Sequence, residues 1–222
     1  MSIWGNPVMM GGSGGGGGGS NINGFELYGA GNRGDTQTFK GELNNNYLSC
    51  CFHDNMSSSY TLNGVTKSFT KSEAGHGNGV LYGTTIPVSD NTDEGLNAIL
   101  YDGSTVVTSH YDGGSYLSVV GGWIGYPSGG TIYENVSNGN TNTITLNSAH
   151  SKLLVFVGAS AQGLSGTTIN INNNAYNVTN IGALYDGVYS LYAAIEIEEN
   201  TDTTITVTFP ASCYNYVSII GL

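Results

Sequence analysis

The sequence predicts an all-β protein: an antiparallel β-sandwich of jelly-roll or immunoglobulin-like kind, preceded by a glycine-rich N-terminal arm. Three observations predict it. From residue 22 onward, short apolar-alternating runs are separated by Gly, Asn and Asp turn residues. Helical periodicity is almost absent, since Asp93 to Leu100 is the one stretch with room for a helical turn and Gly95 weakens it. Only 9% of residues are Asp, Glu, Lys or Arg, against about a quarter in an ordinary domain, while 35 are Gly and 15 are Tyr. The surface is therefore built largely from Asn, Thr, Ser and Gly.

The last third gives the clearest strand pattern. Thr143 to Leu146 reads as a strand, and Lys152 to Val157 reads as another whose run Leu153-Leu154-Val155-Phe156-Val157 is apolar at every position. A strand with no polar face must be covered on both sides, so this one is expected at the centre of a sheet. Thr168 to Ile171 alternates, turns at Asn172-Asn173-Asn174 and resumes through Ala175, Tyr176 and Val178. Tyr189 to Ile197 alternates next, with Ile195 and Ile197 on one face and Glu196 and Glu198 on the other. Thr204 to Phe209 points Ile205, Val207 and Phe209 inward, and Tyr214 to Leu222 is apolar to its end. Such a run must be paired in a sheet or buried between subunits, because a frayed apolar strand is an aggregation site.

The middle of the chain reads as a meander over Leu96 to Val120, with Asn97 to Tyr101, Thr105 to His110 and Tyr116 to Val120 as strands joined by Asp-Gly turns. Tyr-Asp-Gly recurs at 101, 111 and 185, which is turn chemistry and not a structural repeat. The chain divides into an arm and Gly-rich tract (1–20), a β-rich domain (21–140) and a C-terminal β-sandwich portion (141–222), the last two open to being one continuous domain.

The tract, residues 11–19, holds eight glycines around Ser13. It reads as a flexible linker. If instead it were ordered against neighbouring backbones, holding it would cost roughly 4 to 8 kcal/mol more than holding alanines, to be offset by contacts from other subunits. In either case the arm presents Ile3, Trp4 and Val8 as partner-anchoring residues, since an indole buries much area at small entropic cost.

Charge excludes two classes of partner. The formal net charge is -11, and of the five cations Arg33, Lys40, Lys67 and Lys71 precede residue 72, leaving Lys152 alone afterwards. Without a basic patch there is no electrostatic source for nucleic-acid binding or for attraction to anionic membrane. The start, Met1-Ser-Ile-Trp-Gly-Asn-Pro, has neither the charge nor the apolar run of a secretory signal, and no stretch approaches the roughly 20 apolar residues that span a bilayer. Cys50, Cys51 and Cys213 fit reduced, buried thiols of a cytosolic product better than a disulfide framework.

No catalytic constellation emerges, and no cofactor is expected. Gly11-Gly12-Ser13-Gly14-Gly15 matches the nucleophile-elbow pattern only formally, lacking a strand before it and a helix after it. Cys51 and His53 could share a strand face beside Asp54, but nothing else supports thiol catalysis. Asp90, Asp93 and Glu94 concentrate oxygen ligands and are candidates for Ca²⁺, although Tyr101 stands where the calcium-loop template needs a glutamate, so a solvated loop is the simpler reading. Glu196, Glu198, Glu199 and Asp202 form the densest acidic cluster; alternating with core residues, they serve solubility, while paired carboxylates are also the groups that cleave glycosidic bonds. His53, His76, His110 and His150 lack zinc-ligand spacing. Tyr101, Tyr111, Tyr116, Trp123 and Tyr126 crowd one region beside glycine turns. Some must pack the core, and the excess are candidates for stacking on a sugar or protein ligand.

The start Met1-Ser-Ile-Trp-Gly-Asn-Pro with Gly11 to Gly19, and the runs Leu153-Leu-Val-Phe-Val, Ile205-Thr-Val-Thr-Phe and Tyr216-Val-Ser-Ile-Ile-Gly-Leu, cover about half the chain. In these the chain resembles structural and receptor-binding proteins of tailed bacteriophages. The resemblance implies a homo-oligomeric β module at a tail tip, baseplate, fibre or capsid surface, made in the bacterial cytoplasm and located in the virion. The expected role is a non-enzymatic tail or fibre protein that attaches by its arm and contacts a host-surface glycan or neighbouring subunits. A capsid decoration or head-fibre protein and a surface-polysaccharide-degrading enzyme are the alternatives. Partners are expected to be other copies of the chain, as a trimer, and other virion proteins, without nucleic acid or membrane insertion.

Overall fold

The structure is a computed structural model that describes residues 24–31, 36–41, 47–54, 59–62, 65–68, 71–74, 80–87, 105–110 and 117–222, apart from 163, 165 and 184–187. In chain order the strands are β1 (Gly24–Gly31), β2 (Thr36–Gly41), β3 (Tyr47–Asp54), β4 (Ser59–Leu62), β5 (Val65–Ser68), β6 (Lys71–Ala74), β7 (Val80–Pro87) and β8 (Thr105–His110). There follow β9 (Leu117–Ile124), β10 (Thr131–Thr145), β11 (Lys152–Gln162), β12 (Thr168–Ile171), β13 (Asn174–Asn177), β14 (Thr179–Ala183), β15 (Val188–Glu198) and β16 (Thr204–Gly221). The described residues form no helix, and the chain is an all-β, antiparallel sandwich.

The expected central strand is β11. It lies between β15 and β16 in a seven-stranded sheet of order β13-β12-β16-β11-β15-β14, with β10 on the far side of β16. Every residue from Leu153 to Ser160 is buried, because successive side chains enter two different cores. Leu153, Val155 and Val157 join Ile195, Ile205, Val207, Val217 and Ile219 in the first core. Leu154 and Phe156 join Tyr192, Tyr216 and Ile220 in the second, against Tyr47, Cys51, Val119 and Trp123 of another sheet. Full burial of each large apolar side chain contributes about 1.5 to 3 kcal/mol, and here neither parity of the strand is left out.

The first core is enclosed by the seven-stranded sheet itself, which turns a corner. Along β16 the pairing partner changes: Val207 and Thr208 meet β12, whereas Tyr214 to Gly221 meet β11. β10 follows β16 around the bend, and its register jumps from Gly139 opposite Cys213 to Thr141 opposite Thr208. The jump leaves 209–212 without partners in β10, and Pro210, which has no backbone N–H to give a ladder, lies there exposed. It also flips the parity of β10, so that Asn142 and Ile144 point inward past the bend where Tyr133 had pointed inward before it. The polar groups buried at the corner are paired. Asn142 Nδ2 donates to Asn215 Oδ1 at 2.8 Å and to Asn135 O at 3.2 Å, and Asn215 Nδ2 donates to Gly139 O at 3.3 Å. Between β12 and β13 the expected turn is a tight hairpin, with φ of 45° at Asn172 and 68° at Asn173, both tolerable for asparagine.

The second core lies between this sheet and a five-stranded sheet of order β1-β9-β3-β7-β6; β2, β8, β4 and β5 form a third, four-stranded sheet. Glycines on the five-stranded sheet make sockets for rings. A Cβ at Gly83 would lie 2.3 Å from the Tyr216 ring, and one at Gly121 would lie 2.0 Å from the Phe25 ring. The opposite face of that sheet is also covered, since Leu48 and Cys50 are both 0% exposed.

Three expectations need correction. β8 and β9 do not form a meander: β8 pairs with β2 and β4, whereas β9 pairs with β1 and β3, because Val119 and Trp123 are drawn to the second core. The strand expected at Thr143 begins twelve residues earlier, at Thr131, so a boundary at 140 falls inside β10, and the two parts share that strand. The runs expected as separate strands at 204–209 and 214–222 are one bent strand, so the apolar C-terminal run is paired within the sheet.

The sockets generate the first prediction. Gly83→Ala forces a methyl into the Tyr216 ring and is expected to destabilise by about 1 to 3 kcal/mol, and by less than that when made in a Tyr216→Leu background. Urea unfolding of the single and double variants measures both, and a change within about 0.5 kcal/mol for Gly83→Ala would exclude the close packing described.

Candidate functional site

Among the described residues, the densest group of ionisable side chains lies where β11 and β15 extend past the rim of the second core. Lys152 stands opposite Glu198, and Glu196 stands opposite Leu154, all on the face that carries Tyr192. Lys152 Nζ lies 2.6 Å from Glu196 Oε1 and 3.0 Å from Glu198 Oε1. Above them comes Tyr126, whose hydroxyl donates to Glu196 Oε2 at 2.6 Å and whose ring lies 5.6 Å from the ammonium. Gly125 and Gly129, with φ of 80° and 100°, let the segment after β9 fold back over the rim. The Tyr47 hydroxyl pins it there, accepting from Gly130 N at 2.7 Å and donating to Pro127 O at 3.1 Å.

This geometry fixes the charges of the cluster on one another. Both oxygens of Glu196 are occupied, one by Lys152 and one by Tyr126. Its hydrogen bond to Glu196, then the one to Glu198, raises the Lys152 pKa, so the side chain stays an ammonium and is no nucleophile. Burial, and then the hydrogen bond to Glu196, raises the Tyr126 phenol well above the usual tyrosine range. Glycoside hydrolysis by two carboxylates needs one protonated acid and one free base flanking a common space. Here both carboxylates chelate one cation, and Glu196 was expected on a solvent face but is half-buried between layers.

A second polar group ties the layers together. Glu134 Oε1 accepts from Thr85 N and from the Tyr216 hydroxyl, each at 2.7 Å. The Tyr216 hydroxyl is also 2.8 Å from Thr85 Oγ1, which is 3.0 Å from Ser49 Oγ. β6 reaches only as far as Gly83 along β7, so the Glu134 side chain serves a backbone N–H beyond the end of that ladder. Burial drives the Tyr216 phenol far above its ordinary value of 10.0, and the Glu134 charge adds to the effect. On the opposite face of the seven-stranded sheet, the Tyr133 hydroxyl bonds Asn147 and lies 3.0 Å from His150 Nε2, and the His150 ring rests on Gly221.

The three cysteines are unpaired and buried, and burial raises each thiol, that of Cys213 to about 12. Thiolates are disfavoured there, so Cys51 is not an activated nucleophile; the side chain of His53 lies outside the described residues. Among the described residues no group of three or more His, Cys, Asp or Glu is placed to hold a metal.

Past the corner, the outward-facing residues of β10, β12 and β16 are uncharged, with Asp202 at the edge beside Asn172. Thr141, Thr143 and Thr145 stand opposite Thr208, Thr206 and Thr204, and Asn170 adjoins Thr208 on the other side. The Thr143 and Thr206 hydroxyls are 3.0 Å apart, a cross-strand pair of the kind that stabilises sheets. Thr-x-Thr-x-Thr at 141–145 and 204–208 was the visible signal for this face.

Of the candidates named from sequence, Ile3, Trp4, Val8, Asp90, Asp93, Glu94, Tyr101, Tyr111 and Tyr116 lie outside the described residues. Trp123 and Tyr126 are brought together, with ring centroids 6.0 Å apart, but are 2% and 3% exposed. Trp123 also meets Phe25 edge-on at 5.0 Å, so its ring is engaged in packing and offers no stacking face. The Glu134–Tyr216–Thr85 group was not legible, because its members lie far apart in the chain. Comparison of the chain with protein families, curated proteins and solved structures finds no match.

The raised phenols predict alkaline lability. The native state holds the Tyr126 proton more tightly than the unfolded state, so this contribution is complete below about pH 10 and is lost as pH rises through the native value. Tyr126→Phe is expected to reduce the stability lost between about pH 10 and 11 by about 1 kcal/mol. Denaturant titrations at several pH values measure it, and an unchanged slope would contradict the assignment.

Proposed function

We propose that the chain is a non-enzymatic structural and adhesion component of a tailed-phage particle, a tail or fibre protein. Its N-terminal arm attaches to the particle, and its β body contacts the host surface or neighbouring subunits. One observation carries the reading: the described body commits Lys152, Glu196 and Glu134 to joining its own layers, so these groups serve rigidity. A rigid scaffold with an uncharged, hydroxyl-bearing outer face suits contact better than turnover. The sequence resemblance to phage surface proteins supplies the setting.

Immunogold labelling of purified particles tests the setting. Label on the tail or its fibres is expected; label on the head alone moves the protein to the capsid-decoration alternative, and absence of label from particles defeats the proposal. The contact surface has its own test. Thr141→Lys with Thr204→Lys alters only exposed positions that do not face each other across β10 and β16, so thermal stability should hold within about 0.5 kcal/mol. Adsorption to cells, or incorporation into particles, is expected to fall about tenfold or more. Unchanged performance in both assays places the contact elsewhere. Glu196→Gln separates the enzymatic alternative: capsule cleavage by the native protein that this variant abolishes would contradict a non-enzymatic role.

A further inference from the structure

We draw no further inference here: the strongest candidate, the uncharged threonine face of β10, β16 and β12 past the corner of the seven-stranded sheet, belongs to the contact surface already proposed, and nothing in the structure shows what covers it.

Discussion

A strand that is water-excluded on both faces can carry no alternation, and it must find a core on each side or forfeit the burial of half its side chains. β11 and the last nine or so residues of β16 obey this constraint together, and the rest of the described architecture follows from it. Leu153, Val155 and Val157 demand a cover on one side, which the bent continuation of β10 and β16 provides with β12 and β13. Leu154, Phe156, Tyr216 and Ile220 demand another, which the five-stranded sheet provides. The middle layer thus fastens two cores to each other.

Joining a second sheet to such a layer requires close approach without a wholly greasy interface. Glycine supplies the approach: Gly83 omits the side chain that would hold Tyr216 away, and Gly121, on the same sheet as Phe25, leaves room for that ring to lie down within the interface. Polar groups supply the register. Glu134, Tyr216, Thr85 and Ser49 satisfy one another where the sheets meet, and Lys152, Glu196 and Tyr126 do so at the rim. A partly satisfied network in a low-dielectric interface destabilises, whereas one with its members paired discriminates against slipped arrangements. Among the described residues, Glu134, Lys152 and Glu196 are therefore structural charges.

The middle layer was legible in the sequence because its signal is local and unambiguous: five consecutive apolar residues at 153–157 have no other stable use in a β protein. The Asn172–Asn173 turn was legible for the same reason. What was not legible depends on distant chain. Glu196 alternates with Ile195 and Ile197 and so looks solvent-facing, yet the second face of β15 is also covered, and Tyr126, seventy residues away, arrives over it. Thr131 to Asn140 does not read as a strand because Glu134 and a row of Asn and Ser interrupt the apolar pattern, and those polar residues serve the interlayer clamp and the corner. Likewise Trp123 and Tyr126 look like a binding surface by type, but type alone does not reveal that Phe25 and Glu196 already occupy them.

Paired alanine substitutions at neighbouring positions test the two-sided middle layer most directly. Leu153 and Leu154 are both 0% exposed and point into different cores. Chemical denaturation of Leu153→Ala and Leu154→Ala should show each losing about 2 to 5 kcal/mol, since each leaves a cavity in a packed core. A strand with one solvent face would give one costly variant and one tolerated within about 0.5 kcal/mol, and that outcome would contradict the architecture.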